Sequence, residues 1–226
     1  MGLASALTLV LVLGLAAVVV VRASFPDYGG QLRVRGLSAP VTVHRDDFGV
    51  PQVYAANAAD LFRAQGYLHA TDRFWEMDVR RHITAGRLAE LFGPSQVQTD
   101  AYIRTMGWRR VAEKEYELVA PATRRYLDAY AEGVNAWLAE HSGAEASLEY
   151  AVLALRNPGY TIEKWHAVDS LAWLKAMAWD LRSNAAAELE RAALLAAGLT
   201  RTQVESLYPD YPIDRHAPIV GTGTLV

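Results

Sequence analysis

The stretch NAADLFRAQGYLHATDRFWEMDVRRHITAGRLAELFG, Asn57 to Gly93, decides the fold. Asn57 is a good helix N-cap, and Asp60 stands at the third helical position, where the helix dipole favours an acid. A helix is therefore expected from about Ala58 to His82. Gly86 and the Phe92-Gly93-Pro94 turn then bracket a short amphipathic piece, Arg87 to Leu91. Leu61, Ala64, Leu68, Trp75 and Val79 form the apolar stripe of the long helix, and Glu76 and Arg80 are placed to pair at i,i+4. His69, Asp72 and Glu76 share one face at spacings formally acceptable for zinc. Against a metal, Arg73 and Arg80 compete for the carboxylates and the H-E-x-x-H spacing is absent. The scaffold reading, with charges meeting other polar segments, is the stronger.

Working outward toward the N-terminus, Gln31–Leu37 and Val41–Ala55 alternate apolar with polar residues, and DDFGVP (Asp46 to Pro51) supplies turn chemistry. A small hairpin or meander follows from that. Arg22 to Gly30, RASFPDYGG, has the composition of a linker. Leu3 to Val21 carries no charge and matches the roughly 20 residues that cross a bilayer. Two readings stay open for residues 1–22: an uncleaved anchor, favoured by length and the valine run, or a cleaved signal peptide. Either places the rest on the secretory route, as a membrane-tethered extracytoplasmic domain or a secreted or periplasmic one.

Toward the C-terminus the pattern is helical. One helix is expected over roughly Gly107 to Val119. Another starts at Pro121, with Tyr126, Ala129, Tyr130, Val134, Trp137 and Leu138 as its core-facing stripe. After the loop signal RNPGY (Arg156 to Tyr160), one long run from Trp165 to Ala197 is closed by Gly198. Thr200 and Gln203 form a capping box for a last short helix ending near Pro209. Residues 31–209 thus read as one mainly α domain with a small N-terminal β hairpin or meander. Residues 210–226 read as the start of a connecting peptide.

A formal charge of −3 and the lack of any basic block disfavour nucleic acid as a partner. The absence of cysteine removes disulfides, thiolate metal sites and cysteine nucleophiles together. G-x-S-x-G and S-x-x-K are missing too, and the GTG at Gly221 to Gly223 is too short to be a phosphate fingerprint. From the residues alone, the chain is an exported or anchored helical module without a self-contained active site. An anchored binding or assembly module without catalytic activity is therefore the alternative to any enzymatic reading.

The succession of four motifs adds a resemblance. R-D-x-x-G-V-P (Arg45 to Pro51), G-Y-x-H-A-x-D-R (Gly66 to Arg73), the pair Arg80-Arg81 and G-R-L-A-E-x-x-G (Gly86 to Gly93) occur in this order. Val41 to Trp108 closely resembles the N-terminal part of the penicillin acylase (penicillin amidase) family of N-terminal nucleophile hydrolases, and the sequence to about Glu190 does so more loosely. The resemblance implies the α-chain part of an αββα heterodimer that hydrolyses linear amides. The acyl group would leave an amine such as a β-lactam nucleus, a homoserine lactone or a lipopeptide. It implies that the nucleophile is a serine at the start of a β chain, so no catalytic residue is expected here. Thr222 and Thr224 each follow a glycine, but too little chain follows either to build an oxyanion hole.

The same resemblance implies two sites. NAAAELERA (Asn184 to Ala192) is similar to the segment that gives the family's structural calcium ion a glutamate, which places Glu188 as a metal ligand shared with β. The preceding segment lines the family's acyl pocket, which nominates Ala178, Leu181 and Arg182 for substrate binding. Arg182 stands where phenylacetyl-binding members carry an aromatic residue, so a long or polar acyl group stays open.

Overall fold

The structure is a computed structural model that describes residues 2–181, 184–209, 211–212 and 214–216. It is 67% helical with a single two-stranded sheet among the described residues. Contacts divide the chain into two compact units, Met1–Ala178 and Trp179–Val226.

The first unit opens with helix α1 (Gly2–Ala23). Its span Ser5–Ala23 is long and apolar enough to cross a membrane, with a mean hydropathy of 2.5 and no buried residue, a profile equally compatible with a signal sequence. Strands β1 (Thr42–Arg45) and β2 (Pro51–Tyr54) pair antiparallel, with Thr42 opposite Tyr54 and Arg45 opposite Pro51. Their turn is built as its residues dictate. The Asp46 carboxylate accepts the amides of Phe48 and Val50 at 3.0 and 2.9 Å, and Gly49 supplies a φ of +78°. The expected third alternating segment, Gln31–Leu37, is not a strand. It turns at Gly36 (φ +87°), and the following Ser38 and Ala39 spend their amides on the Asp60 carboxylate instead of a ladder.

Helix α2 (Ala58–Ala85) is the organising element. The Asn57 side chain accepts the amide of Asp60 at 2.9 Å, and Gly86 closes the helix in the left-handed conformation. The helix is interrupted at Arg73 (φ −147°, ψ 25°). Just upstream, the Thr71 hydroxyl returns to the Tyr67 carbonyl at 2.9 Å, an arrangement that bends helices. The buried stripe is Ala64, Tyr67, Ala70, Phe74, Asp78, Arg81 and His82. This corrects the expected stripe, of which Ala64 alone is buried. The core-facing side is rotated so that charged residues of the second half go inside. Nor do Glu76 and Arg80 pair: Glu76 meets Arg73, and the Arg80 guanidinium lies 4.3 Å from the centre of the Trp173 ring.

Helices α3 (Leu88–Phe92), α4 (Val97–Met106) and α5 (Trp108–Leu118) follow. The start of α3 is capped from a distance, with the Asp100 carboxylate accepting the Leu88 and Ala89 amides at 2.7 and 2.8 Å. Helix α6 (Pro121–Leu138) lies against α2 along most of its length. Two glycines make that crossing possible. A Cβ on Gly66 would fall 2.1 Å from the Tyr130 carbonyl oxygen, and one on Gly133 would fall 1.9 Å from the Arg63 carbonyl oxygen. The expected α6 stripe holds in that Ala129, Val134 and Trp137 are buried. Helix α7 (Leu148–Arg156) precedes the predicted RNPGY loop.

The single run expected over Trp165–Ala197 is two helices, α8 (Ala167–Leu181) and α9 (Ala185–Ala196). Asn184 stands between them outside either helix, as befits a side chain that competes for backbone hydrogen bonds. The start of α8 is set by Asp169, which accepts the His166 amide at 2.7 Å and pairs with Arg109. In the second unit, α10 (Arg201–Leu207) carries the predicted Thr200–Gln203 capping box. It is tied to α9 by the Tyr208 hydroxyl, which donates to Glu190 at 2.8 Å.

Candidate functional site

The densest constellation of ionisable groups forms around Asp78, which is fully buried on α2. One carboxylate oxygen accepts the Arg81 side chain. The other accepts the hydroxyls of Tyr150 on α7, at 2.7 Å, and Tyr160, at 2.6 Å. Arg81 continues outward to the carbonyls of Glu163 and Lys164 at 3.1 and 2.9 Å, fixing the loop before α8. Burial alone would raise the Asp78 carboxyl. The adjoining His82 ring, the Arg81 guanidinium and the Tyr160 hydroxyl outweigh it and hold the group well below the usual carboxylate range. The same burial, reinforced by the Asp78 charge, pushes both tyrosines far up.

His82 sits beside this group, its Nδ1 2.7 Å from the Asp78 carbonyl and its Nε2 without a hydrogen-bond partner among the described residues. Above it, Arg87 makes two bidentate pairs, with Glu90 at 2.7 and 2.6 Å and with Glu163 at 2.9 and 2.7 Å. Chemically, the cluster is a brace. A fully buried carboxylate whose two oxygens already accept a guanidinium and two phenols has no lone pair to offer a substrate. It ties α2, α7 and the loop before α8 together, so three segments remote in sequence share one saturated charge.

A second polar junction sits at the start of α2. The Asp60 carboxylate accepts the Ser38 hydroxyl (2.6 Å), the Ser38 and Ala39 amides and the Asn57 side chain. Those bonds, the Ser38 hydroxyl and amide first, hold its pKa at about 2. At the hairpin, Arg45 grips Asp72 through both carboxylate oxygens at 2.9 and 3.0 Å and lies 4.1 Å from the centre of the Tyr28 ring. The residues weighed for zinc are thus divided among separate partners. Asp72 is held by Arg45, Glu76 meets Arg73, and His69 Nδ1 lies 3.0 Å from the Tyr130 hydroxyl.

The residues nominated for substrate and metal are not in these clusters. Ala178 and Leu181 lie on α8, both exposed, and with Leu174 and Met177 they make an apolar stripe at helical spacing. Arg182 lies outside the described residues. Glu188, in the first turn of α9, is exposed and pairs with Arg191 at 2.9 Å. Among the described residues no three acidic or histidine side chains converge as a metal site would require. What the sequence reading missed is the Asp78 cluster. Asp78, Arg81 and His82 were visible as charges on one helix, but nothing local signals that Tyr150 and Tyr160 close over them.

The penicillin amidase family profile matches residues 40–223. The chain is 37% identical over 147 residues to the penicillin acylase 2 proenzyme of Pseudomonas sp. (strain SE83), covering 65% of this chain and 18% of that protein. It is 31% identical over 195 residues to the acyl-homoserine lactone acylase QuiP of Pseudomonas aeruginosa, covering 86% and 22%. The chain therefore spans about a fifth of the length of these curated relatives. Among solved structures, a chain of the thermostable penicillin G acylase from Alcaligenes faecalis matches with a TM-score of 0.56 and 24% identity, over 83% of this chain and 95% of that one. Four ordered motifs, the fold that they build and a profile match across most of the sequence agree: this chain belongs to the penicillin amidase family.

Proposed function

We propose that this chain is the α portion of an amidohydrolase that cleaves linear amides with an N-terminal serine on a separate β chain. The observation that carries the reading is a pair of lengths. The chain covers about a fifth of relatives named as whole acylases or a proenzyme, yet it covers 95% of one chain of a solved acylase. A separate polypeptide of this size therefore exists in at least one relative's structure. The absence of a nucleophile signature here agrees with chemistry carried elsewhere, since a free α-amino group with a pKa of roughly 7.7–8.0 activates a serine on its own residue.

In this reading the exposed stripe of α8, with Ala178 and Leu181, frames the acyl group against β, and Arg182, next in the sequence, joins them in binding substrate. Glu188 fits a hard cation in donor type, but calcium takes about 6–8 oxygens, so β must supply most of the ligands. The apolar helix α1 delivers the domain across the membrane, as an anchor or as a signal sequence. The test is expression of the full chain alone and together with the polypeptide encoded directly downstream, assayed on a panel of acyl-p-nitroanilides. Turnover is expected from the pair and none from the chain alone. Turnover by the chain alone, or an inert pair in which the downstream chain bears no N-terminal serine, overturns the proposal.

A further inference from the structure

A cavity of about 480 Å³ lies between the end of α6, α7 and the loop before α8, within the first unit. Its size falls in the roughly 300–1,000 Å³ range of small-molecule sites. Leu138, Ile162, Tyr150 and Tyr160 give it a largely apolar lining. The two tyrosine rings are stacked 6.1 Å apart at 10°, and their hydroxyls are both committed to Asp78, so their positions are fixed before anything binds. Such preorganisation lowers the ordering cost of binding.

The ionisable groups of the lining are one-sided. Among the described residues, Lys164 and His141 line the cavity, and no aspartate or glutamate does. The Lys164 ammonium has no ion pair among the described residues, while its neighbour Glu163 is held away by the double pair with Arg87. His141 is stacked on Trp137 with ring centres 4.5 Å apart, and its Nδ1 is engaged by the Trp137 carbonyl at 2.9 Å, while its Nε2 makes no hydrogen bond among the described residues.

We infer that this cavity binds a small organic carboxylate with an apolar body, its head on Lys164 beside His141 and its body against Tyr150, Tyr160 and Ile162. Charge complementarity selects the class. A cationic amphiphile meets Lys164 with like charge, and a neutral one forgoes the charge-assisted bond. The site lies in the first unit and needs no nucleophile, so it stands or falls independently of the reaction proposed above.

The probe is 4-phenylbutyrate, titrated by calorimetry and ligand-observed NMR into the full chain in zwitterionic nanodiscs, with empty discs subtracted. Saturable 1:1 binding is expected, with 4-phenylbutanol and 4-phenylbutylamine weaker by roughly tenfold or more, as loss of a charge-assisted bond dictates. Lys164→Glu abolishes the preference for the acid. It leaves the fold intact, since Arg81 binds the Lys164 main-chain carbonyl. Lys114→Glu, an equal charge change on exposed α5, leaves the titration unchanged. Ala154→Trp, which fills the cavity from an exposed position, blocks all three probes. The inference is overturned if no saturable binding occurs, if the amine binds as well as the acid, or if Lys164→Glu titrates like the unaltered chain.

Discussion

The crossing of α2 on α6 and the exposed sides of α8 and of α9 are helical and alanine-rich alike, but they are finished differently. At the crossing and its flanks, Asp60, Asp78, Asp100 and Asp169 are all buried, and each accepts hydrogen bonds from named donors. On α8 and α9, Leu174, Leu181 and Leu189 are exposed by 56%, 75% and 72%, and α9 has no buried residue. A saturated polar core is self-sufficient, because each desolvated charge has its partner inside the chain. Exposed large apolar side chains repeated along a helix have the character of a surface that meets something else.

The contrast is broken most severely at the glycines. Gly133→Ala is expected to abolish cooperative unfolding of the full chain, because the added carbon would sit 1.9 Å from a carbonyl oxygen on a helix that cannot retreat without opening the core. Gly66→Ala should do the same. A normal thermal transition in either variant, followed by circular dichroism, would show that the crossing is looser than its geometry. Next in size is Asp78→Asn, which keeps the shape but removes the carboxylate paired directly with buried Arg81. Breaking a buried pair in this way costs about 3–5 kcal/mol, readable as a lower midpoint in urea. A loss under ~1 kcal/mol would mean that the Glu163 and Lys164 carbonyls suffice for the guanidinium.

Acid should erode the self-sufficient region in a defined window. The carboxyls of Asp60 and Asp78 titrate lower in the folded chain than the roughly 3.9 of an unfolded aspartate. Depressed folded values mean that the unfolded chain binds protons first. The stabilisation is therefore complete above about pH 4 and is lost as pH falls toward the folded pKa of about 2 for Asp60. Thermal midpoints measured from pH 7 to 2 should stay level and then drop. Ser38→Ala, which removes the 2.6 Å hydroxyl bond to Asp60, should flatten part of that drop. An identical acid profile for the variant would assign the loss to other carboxylates.

Much of the self-sufficient region was legible in the sequence, because its signals are local. Asn57 before an apolar-periodic run, Gly86 after it, and Asp46 and Gly49 in the turn each act over a few residues, as does the Thr200–Gln203 box in the second unit. The stripe of α2 was misread because the interruption at Arg73 shifts the second half and because charged residues were assigned to the outside. Asp78, Arg81 and His82 go inside only because Tyr150 and Tyr160, far along the chain, arrive to satisfy them. The close backbone approaches at Gly66 and Gly133 were equally invisible, since a glycine within a helix reads as a weak propensity penalty until the partner backbone is known. The nominated substrate and calcium residues came from resemblance alone.

The smallest expected effects on the chain itself fall on the exposed side, and there stability and assembly should separate. Leu181→Asp removes no buried contact and should shift the stability of the isolated chain by no more than about 0.5 kcal/mol. In the co-expressed pair it should cut amide turnover, because a carboxylate would enter a face proposed to meet β and the acyl group. Glu188→Gln should be quieter still in the isolated chain, where the residue has only an exposed pair with Arg191. In the pair, added calcium should raise the thermal midpoint of the unaltered protein and not of Glu188→Gln, and chelation should make the two coincide. A calcium shift of equal size in both would place the ion on other ligands. If neither Leu181→Asp nor Glu188→Gln touched the pair, the exposed faces of α8 and α9 would be ordinary surface, and the distinction from the α2–α6 crossing would be one of burial alone.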